Sequence, residues 1–155
     1  IAHCLGLLRN HRFGGSCDVN RLVLLALYHD CSEILTGDMP TPIKYYNPEI
    51  NDAYKKVEAV ANEKLVSMLP EDLRGDYRPL LCHENEDKEL LRLLKAADKL
   101  SALVKCIEEE NAGNREFSKA KQSTLRAIEE MRLPEADAFV AEFLPSYGLT
   151  VDELN

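Results

Sequence analysis

A chain of 155 residues, 45% of them hydrophobic, is long enough to bury a sizeable core, and its formal net charge of −8 argues against a broad nucleic-acid or anionic-membrane surface. Five scattered cysteines (Cys4, Cys17, Cys31, Cys82 and Cys106), odd in number and without a C-x-x-C pair, fit a reducing, cytoplasmic setting better than a disulfide framework. No apolar run approaches the roughly 18 residues of a membrane span, and no signal-peptide pattern is present.

In chain order, residues 1–10 read as the last turns of a helix, broken at Phe13-Gly14-Gly15. The chain opens at Ile1 with that periodic pattern already under way, so a natural beginning upstream is expected. Asp18 is placed to cap an apolar helix that runs to about Thr36, with Gly37 as its stop. Gly37-Asp38-Met39-Pro40-Thr41-Pro42 then forces a stiff, extended loop. Asn47-Pro48 is a cap followed by a first-turn proline, and Tyr54, Val57, Ala61, Leu65 and Met68 keep a helical period up to Pro70. Residues 71–85 read as irregular, with one or two helical turns. A long helix follows over about 86–112, then helices over about 116–132 and 135–144, stopped by Pro134 and Pro145. No alternating strand pattern, repeat or linker interrupts the series, so residues 1–155 are expected to form a single all-α domain.

The chemistry concentrates on the apolar helix. Residues 22–28 are all apolar or aromatic and run straight into His29-Asp30, with Glu33 one turn further on the same face. A helix apolar on all sides belongs in the middle of a bundle, and a carboxylate there is costly unless it is paired or metal-bound. A hydrogen-bonded core or capping role is the plainer alternative for His29-Asp30. A second acid, Asp98, falls on the inward stripe drawn through Leu91, Leu94, Ala97, Ser101 and Val104 of the long helix. Pairing with a Lys or Arg is its alternative, but one imidazole and two carboxylates offer a shared site for Mn, Co, Fe, Zn or Mg. His83-Glu84-Asn85-Glu86-Asp87 begins like H-E-x-x-H but ends in Asp, so that zinc motif fails and His83 is expected at the surface. Cys31 has no evident base and reads as a small core residue, and Lys44, Tyr45 and Tyr46 as surface packing.

An H-D pair on a buried helix, followed far along the chain by an Asp on another helix, resembles the HD-domain phosphohydrolases. Phe13-Gly14-Gly15, the run from Tyr28 to Pro42, Lys95-Ala96-Ala97-Asp98, residues 103–109 and Phe143-Leu144-Pro145-Ser146-Tyr147 are similar to the bacterial HD-domain 5′-deoxynucleotidases over nearly the whole chain. The resemblance implies an HD-domain helical bundle that removes the 5′-phosphate from deoxyribonucleoside 5′-monophosphates with a divalent metal, Co or Mn foremost. It implies His29, Asp30 and Asp98 as metal ligands, with Asp30 and Asp98 also facing substrate. Asp38, Met39, Pro40 and Thr41 would form a substrate-contacting loop, Met39 standing where the family has Leu. Glu33 and Asp38 would be catalytic carboxylates, Glu33 handling the proton and Asp38 orienting water or a sugar hydroxyl. A homodimer is implied too, with a small nucleotide as substrate and no nucleic-acid polymer. The family's first histidine ligand and its Arg-Trp pair would precede Ile1, and the chain itself has no Trp; neither His3 nor His11 takes the histidine's place. The rival readings are an HD hydrolase of another nucleotide (a phosphodiester, a triphosphate or an alarmone) and a non-catalytic helical interaction module.

Overall fold

In the computed structural model, which describes residues 1–39, 47–82 and 88–154, every regular element is helical, and no strand occurs among the described residues. The helices are α1 (Ala2–Arg12), α2 (Val19–Tyr28), α3 (Glu33–Thr36), α4 (Pro48–Met68), α5 (Glu71–Leu81), α6 (Lys88–Asn111), α7 (Ser118–Glu130) and α8 (Pro134–Glu142). Short 3₁₀ turns occupy Arg115–Phe117, Leu144–Gly148 and Val151–Leu154. The chain divides into two compact units, Ile1–Val23 with Lys88–Asn155 and Leu24–Asp87, and the division falls within α2.

The first unit is built on α6, which packs against α1, α7 and the 3₁₀ turn at Leu144–Gly148. Leu93, Leu100 and Leu103 of α6, Leu5 of α1 and Ile128 of α7 are almost fully buried. Each such side chain contributes about 1.5–3 kcal/mol by leaving water. Gly6 lets α1 approach α2 closely, since a Cβ there would stand 3.1 Å from a Val19 methyl.

The most unusual feature of this unit is a buried charge. Glu135, in the first turn of α8, has a fully buried side chain and accepts a 2.9 Å hydrogen bond from Arg9 Nη1. Arg9 also pairs with Glu89 at the start of α6, so one guanidinium ties α1 to both α6 and α8. Gly15 makes the arrangement possible. A Cβ at Gly15 would lie 2.6 Å from Arg9 Cγ, so only a residue without a side chain lets the chain turn over the arginine stem. The Phe13-Gly14-Gly15 break thus has a packing reason as well as a turn reason.

In the second unit α3 and α5 both pack on α4. Asn47 caps α4 by accepting from the Ile50 amide at 2.7 Å, and Pro48 occupies the first turn. Arg74 of α5 donates to the carbonyls of Ser67 and Leu69, which satisfies groups left open at the end of α4. Arg78 bonds Glu63 across the same pair at 2.6 Å and holds the Glu63 carboxyl below its ordinary range.

Several expectations are corrected here. Residues 71–81 form a full helix rather than one or two turns. The apolar helix stops at Tyr28, and α3 follows as a separate turn instead of a continuation to Thr36. His29 Nδ1 lies 2.7 Å from the Ala26 carbonyl, the group that the Asp30 amide would use in an unbroken α-helix. Nor is α2 apolar against a core on all sides: Leu22 and Leu25 are fully buried, whereas Val23, Leu24 and Leu27 are exposed, Leu27 by 67%. On α6 the buried arc runs through Leu90, Leu93, Leu94, Ala97, Leu100 and Val104. Asp98 and Ser101 lie outside it and are exposed, so the premise of a buried second acid does not hold.

Candidate active site

The site is built outward from the break after α2. Asp18 caps the front of that helix, its carboxylate accepting from the Arg21 amide at 2.9 Å. Ten residues later the helix ends at Tyr28, and His29 and Asp30 stand in the turn that follows.

A backbone carbonyl only accepts, so His29 Nδ1 must carry the proton in its 2.7 Å contact with Ala26. On a neutral ring that leaves Nε2 as a bare lone pair. This atom is buried and has no hydrogen-bond partner among the described residues. It stands 3.1 Å from Asp30 Oδ2, within ion-pair distance but not oriented as a hydrogen bond. A contact of that length between a ring nitrogen and a carboxylate is attractive when a positive charge lies between them, whether a proton on Nε2 or a bound cation. Metal-bound histidines have this tautomer, with the distal nitrogen free and the other N–H held by a carbonyl. The Asp30 side chain is 61% exposed. The chemistry of the pair therefore fits a divalent cation of borderline hardness.

Around the pair, Glu33 opens α3 and is half-buried. The Gly37 amide closes that turn on the Glu33 carbonyl, and Gly37 adopts φ 70°, ψ 163°, a conformation that few other residues tolerate. Asp38 is exposed and Met39 half-buried directly after it. Pro40 and Thr41 lie outside the described residues, as do Lys44, Tyr45, Tyr46 and His83. Asp98 is an exposed residue of α6, in the other unit. Among the described residues, no three His, Cys, Asp or Glu side chains gather closely enough to hold an ion, so His29 and Asp30 are the predicted ligands the structure brings together.

The cysteines remain thiols without disulfides. Burial, with the Asp30 charge second, pushes the Cys31 thiol up, which makes it a poor nucleophile beside the pair. Sequence reasoning missed two contacts. The Tyr28 ring meets Tyr77 of α5 edge-on, centroids 5.6 Å apart at 74°. The buried Tyr54 of α4 donates its hydroxyl to the Gly37 carbonyl at 3.2 Å. Tyr28 was readable as part of the motif; its partner had no local signal.

The chain is 47% identical over 155 residues to a 5′-deoxynucleotidase of Vibrio vulnificus, covering 100% of this chain and 80% of that one. A 5′-deoxynucleotidase of Photobacterium profundum is equally similar, at 47% over the same span, and one of Yersinia pestis is 46% identical, covered over 79% of its length. Among solved structures, an HD-domain phosphohydrolase of Listeria innocua superposes with a TM-score of 0.81 at 28% identity, over 95% of this chain and 71% of that one. The all-α, HD-domain expectation is thereby met. The family described as 5′-deoxynucleotidase YfbR-like matches residues 1–147, and the chain belongs to that family.

Proposed function

We propose that this protein is a metal-dependent phosphohydrolase that removes the 5′-phosphate from deoxyribonucleoside 5′-monophosphates. The observation that carries this reading is the buried Nε2 of His29, without a hydrogen-bond partner among the described residues and facing Asp30 Oδ2, in a chain of this family. His29 and Asp30 hold the cation, and the mixed imidazole and carboxylate donors suit Mn or Co, with Zn, Fe and Mg as the other candidates. On the resemblance, Asp98 is assigned as a further ligand.

A divalent cation in such a site acidifies a bound water and polarises a phosphoryl oxygen. Glu33, one turn beyond His29 and Asp30, is assigned to hand a proton to the departing 5′ oxygen. Asp38, at the exposed exit of α3, orients water or the sugar hydroxyl, and Met39, Pro40 and Thr41 continue the substrate loop. Asp30 and Asp98 face the substrate as well as the metal. The protein is further read as a cytoplasmic homodimer that acts on small nucleotides and not on nucleic-acid polymers. Five free thiols support the reducing compartment, and exposed Leu27 and Ile34 supply apolar surface of the kind that association covers.

Phosphate release from dAMP with added Mn or Co, using full-length protein, tests the reading, and a panel with a diester, a triphosphate and an alarmone tests its substrate class. In that assay Glu33→Gln is expected to lower kcat by about 10²- to 10⁴-fold while metal binding persists. Undiminished turnover would remove Glu33 from the mechanism.

A further inference from the structure

His29, Asp30 and Glu33 sit on a stretch with little regular structure of its own: a turn and the single helical turn α3. Such a stretch does not fix side chains by itself. Both of its ends are instead held from α4 and α5. At the entry, Tyr28 rests edge-on against Tyr77, the ring centroids 5.6 Å apart. At the exit, Tyr54 donates to the Gly37 carbonyl at 3.2 Å, and the Thr36 hydroxyl lies 2.9 Å from the same oxygen. The two helices that supply these tyrosines are themselves fastened together by the Arg78–Glu63 pair and by Arg74 on the Ser67 and Leu69 carbonyls.

We propose that Tyr77 and Tyr54 are positioning residues that clamp the two ends of the catalytic segment. Tyr77 sets the direction in which His29 and Asp30 leave α2, and Tyr54 sets the direction in which Asp38 leaves α3. The proposal rests on the reading that His29 and Asp30 hold the cation and that Asp38 meets substrate. Neither tyrosine touches the reacting atoms. The two clamps act on different groups, so they separate experimentally. Loss of the Tyr77 ring loosens the ligand pair, and loss of the Tyr54 hydroxyl loosens the substrate side.

The test is a ring deletion, Tyr77→Leu, and a hydroxyl deletion, Tyr54→Phe, in full-length protein. Two quantities are read: the dissociation constant for Mn by calorimetry without substrate, and KM and kcat for dAMP at saturating Mn. Tyr77→Leu is expected to weaken Mn by about 5-fold, the order of one aromatic pair. Its KM at saturating Mn stays within about 2-fold of wild type. Tyr54→Phe is expected to raise KM by about 3- to 10-fold, the worth of one hydrogen bond, with the Mn constant within about 2-fold. If both variants leave both quantities unchanged, or shift both in equal proportion, the clamp is overturned while wild-type Mn binding keeps the metal reading intact. A wild-type protein that binds no Mn overturns the metal reading itself and the clamp with it.

Discussion

Replacing His29 with Gln is expected to lower metal-stimulated phosphate release from a deoxyribonucleoside monophosphate by about 10³-fold or more, since a metal's charge stabilisation is worth several kcal/mol at the transition state. The reason is the single free coordination position on that ring. Nδ1 is committed to the Ala26 carbonyl, so Nε2 is what the histidine offers. Nε2 has no hydrogen-bond partner among the described residues, so the metal-free fold loses the Nδ1 bond to the Ala26 carbonyl, about 1 kcal/mol. The Tm without metal should therefore fall by only about 2–4 °C, while the rise in Tm that Mn gives the wild type disappears. An unaltered Mn-induced shift in His29→Gln would show that the ring is a structural residue.

Replacing Arg9 with Ala is expected to destabilise the fold by about 3–5 kcal/mol, because it leaves Glu135 as an uncompensated charge in a site with no solvent access. Against a typical total of about 5–15 kcal/mol, that is a large fraction of the stability. The carboxylate's other oxygen, Oε2, is buried without a hydrogen-bond partner among the described residues. Urea denaturation of Arg9→Ala and of the double variant Arg9→Met with Glu135→Met checks this. The single change should shift the midpoint strongly, and the double change should restore most of it, because apolar residues of similar size remove the stranded charge. Equal losses in both would mean that the packing of the arginine stem over Gly15, and not the charge, is what matters.

What could be read from the sequence was what is decided locally. Asp18, Asn47-Pro48 and Gly37 act within a turn of themselves, and each performs the capping or stopping role its residue type suggests. The family was legible because the run from Tyr28 to Pro42 is continuous. The misread elements have specific causes. Helix α5 carries Gly75 and Pro79, both poor helix residues, and reads as irregular. Yet they stand four apart, so the proline ring faces a carbonyl whose residue has no side chain, and the pair is tolerated near the helix end. The break after Tyr28 depends on a side chain taking a backbone carbonyl, which periodicity does not report. Two apolar stripes overlap on α6; Asp98 falls on one of them, and packing against α1 and α7 buries the other. The Arg9–Glu135 pair joins residues separated by 126 positions, and nothing nearby in the chain announces it. The tyrosine contacts at Tyr77 and Tyr54 escaped for the same reason.

The central claim is that the imidazole of His29 and the carboxylate of Asp30 share one divalent cation. Anomalous diffraction at the Mn edge, from crystals of the full-length protein soaked in Mn, tests it most directly. The account predicts a peak at about 2.0–2.3 Å from both His29 Nε2 and an Asp30 oxygen, ordinary bonding distances for nitrogen and oxygen ligands. A peak bound elsewhere, or His29 Nε2 engaged by a protein donor with no metal beside it, would contradict it.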